Sequence, residues 1–315
     1  MGKQVASIGA GMAGLSAAER LRAQGIAVTL FEKSRGFGGR MSTRRSGEFQ
    51  FDHGAQYFSV RGADFKAQMA LWQADVVTGE WFDGAFVGMP GMTAPARAMA
   101  ASQTCITEAL VSSLTRGPAG WSLHDDKGLI DAPGNGQYAA AILAVPAPQA
   151  VPLAASAGVE MPGLGKASYA PCIALMLAFP ADTARPAQNW MKPEGGPISW
   201  IAQDSSKPGR PQTAQTWVVH ASADWSRARL DLDPTASGEI LLQHFRALTG
   251  INAEPLYTSA HRWRYALVEQ ALGAPFLFDA ETRLGACGDW CLGPRVEAAF
   301  ESGFALGKEI ARALA

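Results

Sequence analysis

The spacing of apolar positions changes several times along the chain, and each change marks a predicted element. Val5-Ala6-Ser7-Ile8 is a short apolar run with the length of a buried strand, an Ala-rich helical stretch follows, and a second strand ends at Glu32. Ala63 to Gln73 predicts a helix, two short strands rich in Trp, Phe and Val complete residues 61–90, and Gly91 to Ala101 begins another helix. Strand-like runs then stand at Cys105 to Leu110, Trp121 to Asp125 and Ala140 to Val145, separated by Gly, Pro and Asp turns, which suggests an inserted β-meander. Further strands are expected at Tyr169 to Phe179, Ser199 to Ala202 and Thr216 to Ala221, with Lys207-Pro208-Gly209-Arg210-Pro211 as a solvated turn between the last two. Ile240, Leu241, Phe245 and Leu248 recur at helical spacing within Ser237 to Thr249, and Gly250 is placed to stop that helix. The chain closes with a strand from Arg283 to Cys287, a loop from Gly288 to Arg295 and a helix from Val296 to Leu314.

Chemistry enters at the first turn, Gly9-Ala10-Gly11-Met12-Ala13-Gly14, set between a predicted strand and helix with the acid Glu32 placed 18 residues beyond its last glycine. In such a βαβ unit the first glycine allows the tight turn, the second lets backbone approach a pyrophosphate, and the third lets helix and sheet pack closely. The free N–H groups of the helix start receive phosphate charge. Glu32 is expected to accept from a ribose diol, and its charge disfavours a 2′-phosphate at this first site. Residues 5–40 therefore read as the seat of an adenine dinucleotide.

At 315 residues, 48% of them hydrophobic, the chain can bury a large core and is long enough for two domains. A formal net charge of −1 gives no overall attraction to nucleic acid or to an anionic membrane. The weakly charged stretch Ala139 to Ala157 contains Pro146, Pro148 and Pro152 and reads as a buried strand, a loop and a short helix, not a membrane span. With the first strand beginning close to Met1-Gly2 no signal peptide is expected, and Ala6 stands where an acylation signal wants Ser or Thr, so none is expected there either. Four scattered cysteines suit a reducing compartment, so the cytoplasm is expected. Cys287 and Cys291 lack a second ligand pair, and no metal site is expected.

Together with the motifs that follow them, these residues resemble the glutathione-reductase-like FAD enzymes of the amine oxidase superfamily. The acid Glu32 followed by Gly38-Gly39-Arg40 resembles that superfamily's acid and G-G-R, in which the arginine contacts the FAD pyrophosphate. Asp52 to Phe58 resembles its D-x-G-A-x-x-F, whose Gly-Ala backbone runs beside the isoalloxazine, here Gly54-Ala55. Gly288-Asp289 and Val296-Glu297-Ala298-Ala299 resemble the terminal G-D motif and helix, where the aspartate binds the ribityl chain and the helix start faces the flavin pyrimidine edge. Ala298 stands where that pattern favours Gly.

Within the superfamily the chain is most similar to the bacterial branch of the renalase family. The carrying residues are Ser34-Arg35-Gly36 with Gly38 to Ser42, Gly54-Ala55-Gln56-Tyr57-Phe58, Ser206 to Arg210, Thr216 to Ala221, Trp225-Ser226, His261 to Ala266 and Cys287 to Cys291. The resemblance implies an α/β fold: a glutathione-reductase-like FAD-binding Rossmann domain (residues 1–60, 91–155 and 264–315) and a second, mostly antiparallel α+β substrate domain (residues 61–90 and 156–263). It implies noncovalent FAD held by Gly9, Gly11, Met12, Ala13, Gly14, Glu32, Lys33, Gly39, Arg40, Gly54, Ala55, Gln56, Tyr57, Gly288, Asp289 and Val296. It also implies oxidation of the 2- and 6-dihydro isomers of NAD(P)H to NAD(P)+, with hydride passing to flavin N5 and oxygen reduced to hydrogen peroxide. Gln56, Tyr57, His220, His261, Trp263 and Tyr265 are the expected substrate-facing residues. No side chain is singled out as a nucleophile or base. An amine oxidase is the first alternative and a noncatalytic flavin-binding regulatory protein the second. Taken alone, aromatics on a sheet are more often packing than a substrate cage, and a histidine in a strand is more often structural.

Overall fold

The structure, a computed structural model, describes residues 3–133 and 136–315. Met1-Gly2, weighed above as an acylation start, lies outside the described residues.

The apolar run Gln4–Ile8 is the centre of a six-stranded sheet, paired in parallel with Ala27–Phe31 on one side and Ala140–Leu143 on the other. Thr104–Ile106 and Leu284–Ala286 extend it in parallel on the two flanks, and antiparallel Leu277–Asp279 forms one edge. Parallel strands covered on both faces carry near-continuous apolar sequence, which is why Ala140–Leu143 is wholly buried. One face is covered by two helices, Met12–Arg22 and Val296–Leu314, whose contact depends on small residues. A Cβ at Gly303 would lie 1.9 Å from the Ala13 carbonyl oxygen, so only glycine permits this approach. Ser16 Oγ donates to the Phe300 carbonyl at 2.8 Å across the same interface.

The expected meander is smaller than its sequence suggested. Ser113–Gly117, Gly120–Asp125 and Gly128–Leu129 form an antiparallel three-stranded sheet. The runs on either side, at 104–106 and 140–143, instead gain burial by joining the central parallel sheet, and Leu110 is left exposed. After Ala140–Leu143 the short helix Ala147–Ser156 forms with Pro152 inside it. Among the described residues no helix is long and apolar enough to cross a membrane.

The second sheet is antiparallel throughout, in the order Trp190–Met191, Ile198–Gln203, Ala214–Ala221, Ser168–Pro180, Tyr257–Gln270. Helix Pro234–Thr249 roofs one face, capped by Asp233 accepting from the Thr235 N–H at 3.1 Å and ended by Gly250 at φ +73°. Leu241 and Phe245 are its buried contacts, Phe245 stacking 5.9 Å from Phe179, whereas Ile240 and Leu248 of the same periodic set face outward. Tyr257–Gln270 pairs with Ser168–Pro180 through two register shifts, so the expected domain boundary at 263/264 falls inside one continuous strand. Its hydrogen-bond ladder keeps residues 264–270 in this sheet.

The helix contact gives a direct test. Gly303→Ala should destabilise the protein by about 1–3 kcal/mol through overpacking, whereas Gly165→Ala, whose added Cβ meets nothing within 4 Å, should stay within about 0.5 kcal/mol. Urea unfolding of the two variants checks the difference.

Candidate active site

At the end of the first strand the chain turns through Gly9, at φ +102°, whose N–H donates to the Phe31 carbonyl at 2.8 Å. A Cβ at Gly14 would lie 2.1 Å from the Gly9 carbonyl oxygen, while a Cβ at Gly11 would meet nothing within 4 Å. The turn is therefore packed tight beneath and open above. Helix Met12–Arg22 starts at Gly11 without a side-chain cap, which leaves its first N–H groups available for an anion over that open space. Met12 and Ala13 form its buried first turn. Glu32 is buried and held by two backbone donors, the Ala10 N–H at 3.0 Å and the Ser34 N–H at 2.9 Å. Lys33 beside it is exposed. The Gly38 N–H donates to the Ala10 carbonyl at 2.9 Å, bringing Gly39 back against Gly11.

Arg40 joins three segments. Its guanidinium binds the Asp289 carboxylate through two hydrogen bonds of 2.7 Å and donates to the Ala266 carbonyl at 3.3 Å. Its own carbonyl accepts from the Ala55 N–H at 2.8 Å, and a Cβ at Gly54 would sit 2.0 Å from that carbonyl oxygen. The Gly288 N–H donates to Ser302 Oγ at 3.0 Å, tying this loop to the helix that begins at Val296. The two residues expected to meet different parts of FAD are thus paired with each other. Tyr265 belongs to this neighbourhood: its ring lies 5.6 Å from Tyr169, which in turn sits under the Arg40 guanidinium at 5.8 Å.

The other expected residues converge on His53, which sequence reasoning left among the motif letters. Trp263 Nε1 donates to the His53 carbonyl at 3.0 Å, and His220 Nε2 lies 3.3 Å from the same oxygen. The His53 ring stacks 5.1 Å from Trp263 and meets His261 edge-on at 5.0 Å. Register explains the gathering. His220 and His261 both lie opposite Ala174 on its two neighbouring strands, so all three share one face of the sheet, and the small alanine leaves room between the rings. Gln56 completes the wall, donating to the Asp52 and Gly54 carbonyls and lying 3.4 Å from His220 Nε2. Tyr57 is exposed, with Phe82 at 5.2 Å and Trp200 at 5.7 Å.

Burial disfavours the charged form of all three imidazoles. Burial, reinforced by His261, Arg44 and His220, takes His53 from its ordinary 6.5 down to about 3. Burial takes His220 to about 4, and burial with the nearby Arg44 lowers His261.

Behind Gln56 lies a network that corrects the expected solvated turn. Lys207 and Arg210 are buried, with side chains 0% and 1% exposed, because two carboxylates await them. Lys207 Nζ lies 2.6 Å from Asp204 and 3.5 Å from Asp52 Oδ2, and Arg210 Nη2 donates to that same Asp52 oxygen. Thr43 Oγ1 and the Met92 N–H satisfy the remaining Asp52 oxygen at 2.7 and 3.0 Å. Asp204 accepts from the Asp52 N–H at 3.1 Å, and Lys207 donates to Gln56 Oε1 at 3.2 Å. Burial opposes ionisation of Asp52, yet Lys207 and Arg210 hold its carboxyl below the ordinary range; burial and the Asp52 charge push Asp204 up. The signal in the sequence was the Asp52 and Lys207-x-x-Arg210 chemistry taken together, but their distance of 155 residues along the chain hid it.

Comparison with known proteins adds the family context. Residues 8–73 match the model of an NAD(P)-binding Rossmann-like domain, and residues 60–305 match that of flavin containing amine oxidoreductases. A 4,4′-diapophytoene desaturase of Staphylococcus aureus (strain MRSA252) is 34% identical over 90 residues, covering 25% of this chain and 18% of that protein. The match thus spans less than a fifth of the curated relative's length. Among solved structures, a protein of Exiguobacterium sp. 255-15, provisionally named a protoporphyrinogen oxidase, superposes with a TM-score of 0.75 at 11% identity, covering 99% of both chains. Cyclohexylamine oxidase from Brevibacterium oxydans IH-35A superposes with a TM-score of 0.68 at 12% identity over 100% of both chains. These likenesses establish a shared fold.

Two outcomes follow from the charges. Lys207→Met leaves two carboxylates facing Arg210 alone and should cost about 3–5 kcal/mol in denaturant unfolding; adding Asp204→Asn should recover at least about 1 kcal/mol. The histidines set a pH trend. Unfolding restores a proton affinity near 6.5, whereas the folded protein resists protonation to about 3 at His53 and about 4 at His220. Their contribution is complete above 6.5 and is lost as pH falls toward the folded values, because the unfolded state binds more protons in that window. Urea midpoints should drop from about pH 7 to about pH 5, and less so in His53→Gln.

Proposed function

The chain belongs to the flavin containing amine oxidoreductase family, and from that premise we propose that it oxidises the 2- and 6-dihydro isomers of NAD(P)H. FAD is its cofactor. The residues fit this group: an open, uncapped helix start lies above Gly11, a buried acid stands at Glu32, and the Gly54-Ala55 backbone is held close to Arg40. In the proposed arrangement the Gly9–Gly14 turn and Gly39-Arg40 hold the pyrophosphate, Glu32 the ribose, Asp289 the ribityl chain, and Gly54-Ala55 with Val296 border the flavin ring. Bound FAD would supply a two-electron acceptor for the hydride, with oxygen as the final oxidant taking two electrons and two protons to give hydrogen peroxide.

The observation that carries this reading is the gathering of His53, Gln56, His220, His261 and Trp263 into one wall behind which each buried carboxylate has a cation. His53 and His220 are uncharged at neutral pH, and the carboxylates behind them, Asp52 and Asp204, are matched by Arg210 and Lys207. A dihydropyridine already carries the electrons it gives up, and its ring nitrogen drives hydride departure, so it needs placement more than a base. His220 and His261 offer ring nitrogens to the carboxamide and ribose, Gln56, its amide held by the Asp52 and Gly54 carbonyls and Lys207, borders them, and Trp263 with Tyr57 borders the ring. An ammonium substrate would find no unpaired carboxylate among these wall residues.

The family match favours amine oxidation as the second reading, with the exposed Tyr57 and its neighbour Trp200 bordering a neutral amine. Oxygen uptake by the FAD-loaded protein separates the readings. The proposal expects steady uptake with the 2- or 6-dihydro isomers and none with ordinary NADH. Uptake with primary amines alone would overturn it in favour of an amine oxidase, and no uptake with any donor would leave a flavin-binding protein without turnover.

A further inference from the structure

Beyond Tyr57 opens a cavity of about 600 Å³ whose lining includes Trp81, Phe82, Gln188, Asn189, Trp190 and Lys192. Its volume is that of a small-molecule site. Its aromatic side is continuous with the proposed substrate wall. Tyr57 lies 5.2 Å from Phe82, which stacks 5.0 Å from Trp190 at an interplanar angle of 26°. A second route runs from Tyr57 to Trp200 at 5.7 Å and on to Trp190 at 5.3 Å and 11°. No more than about 10 Å therefore separates the Tyr57 and Trp190 rings. Trp190 nevertheless keeps 38% of its surface exposed at the cavity.

The polar groups around this ring are equally specific in kind. Gln188 and Asn189 carry amides, each able to donate and accept along the edge of a base. Lys192 brings a cation, and Arg185, donating to Asn189 Oδ1 at 3.1 Å, places a second one beside the rim. Exposed aromatic surface for a π-face, amides for a hydrogen-bonding edge and cations for a phosphate together match a purine nucleotide. We propose that this cavity holds the adenosine monophosphate half of the dinucleotide substrate while the pyridine half meets the Gln56 and His261 wall. The inference rests on the dinucleotide reading above and adds the anchor that reading lacks. Such remote binding fixes the pyridine without touching the reacting atoms.

The probe is ADP-ribose, which carries the adenosine end and no pyridine, titrated calorimetrically into FAD-loaded protein so that the cofactor site is filled. Trp190→Ala should weaken its binding about ten- to a hundredfold, the loss of one base stack. In Trp190→Ala the KM for isomeric dihydro-NAD should rise by a similar factor, while the KM for the corresponding mononucleotide, which lacks the adenosine end, should not change. Lys192→Ala, on an exposed side chain, should weaken ADP-ribose more than adenosine. Equal ADP-ribose affinity in wild type, Trp190→Ala and Lys192→Ala would overturn the cavity assignment even if the isomers are oxidised. Trp190-dependent binding of ADP-ribose without oxidation of any isomer would uphold a purine-nucleotide site and sink the substrate reading instead.

Discussion

Two buried carboxylates and two buried cations, Asp52 with Arg210 and Asp204 with Lys207, hold the candidate site in place. Removing four charges from water is expensive, and the cost is met only because each carboxylate finds a cation and further donors. Asp52 begins the segment that carries His53, Gly54-Ala55, Gln56 and Tyr57; Asp204 and Lys207 follow the Ile198–Gln203 strand of the antiparallel sheet. The network therefore fastens a segment beside the nucleotide-binding turn to the sheet that carries His220 and His261. Lys207 extends the connection to Gln56 itself, so charge balance and side-chain placement are one constraint.

What that constraint gathers around His53 is a set of polar side chains whose buried carboxylates all have cations. Burial keeps His53 and His220 neutral, and the Ala174 position gives His220 and His261 a common face. Hydrogen-bonding groups fixed in this way can orient a flat, polar ring, while the chemistry of electron acceptance resides in FAD. Tyr57 marks the border of this wall and connects it, ring to ring, with Phe82 and Trp200.

The nucleotide-binding turn was legible in the sequence because its determinants are local. Gly9, Gly11, Gly14 and Glu32 lie within one βαβ unit, and the final helix from Val296 to Leu314 follows its own periodicity. The five strands of the second sheet were only partly legible. Ser168–Pro180 is an apolar run, but Tyr257–Gln270 carries charged and aromatic residues and is held by pairing with that run. Lys207 and Arg210 misled for the same reason: a Lys-Pro-Gly-Arg-Pro string is hydrophilic locally, and only the distant Asp52 and nearby Asp204 turn it inward. His53 was overlooked because its neighbours His220, His261 and Trp263 come from two other strands.

The most direct measurement is a single anaerobic turnover in a stopped-flow instrument, following the flavin absorbance band of the FAD-loaded protein. The proposed oxidation of dihydropyridines predicts rapid bleaching by the 2- or 6-dihydro isomers of NAD(P)H and none by ordinary NADH. Bleaching by simple amines, with the isomers inert, would contradict it.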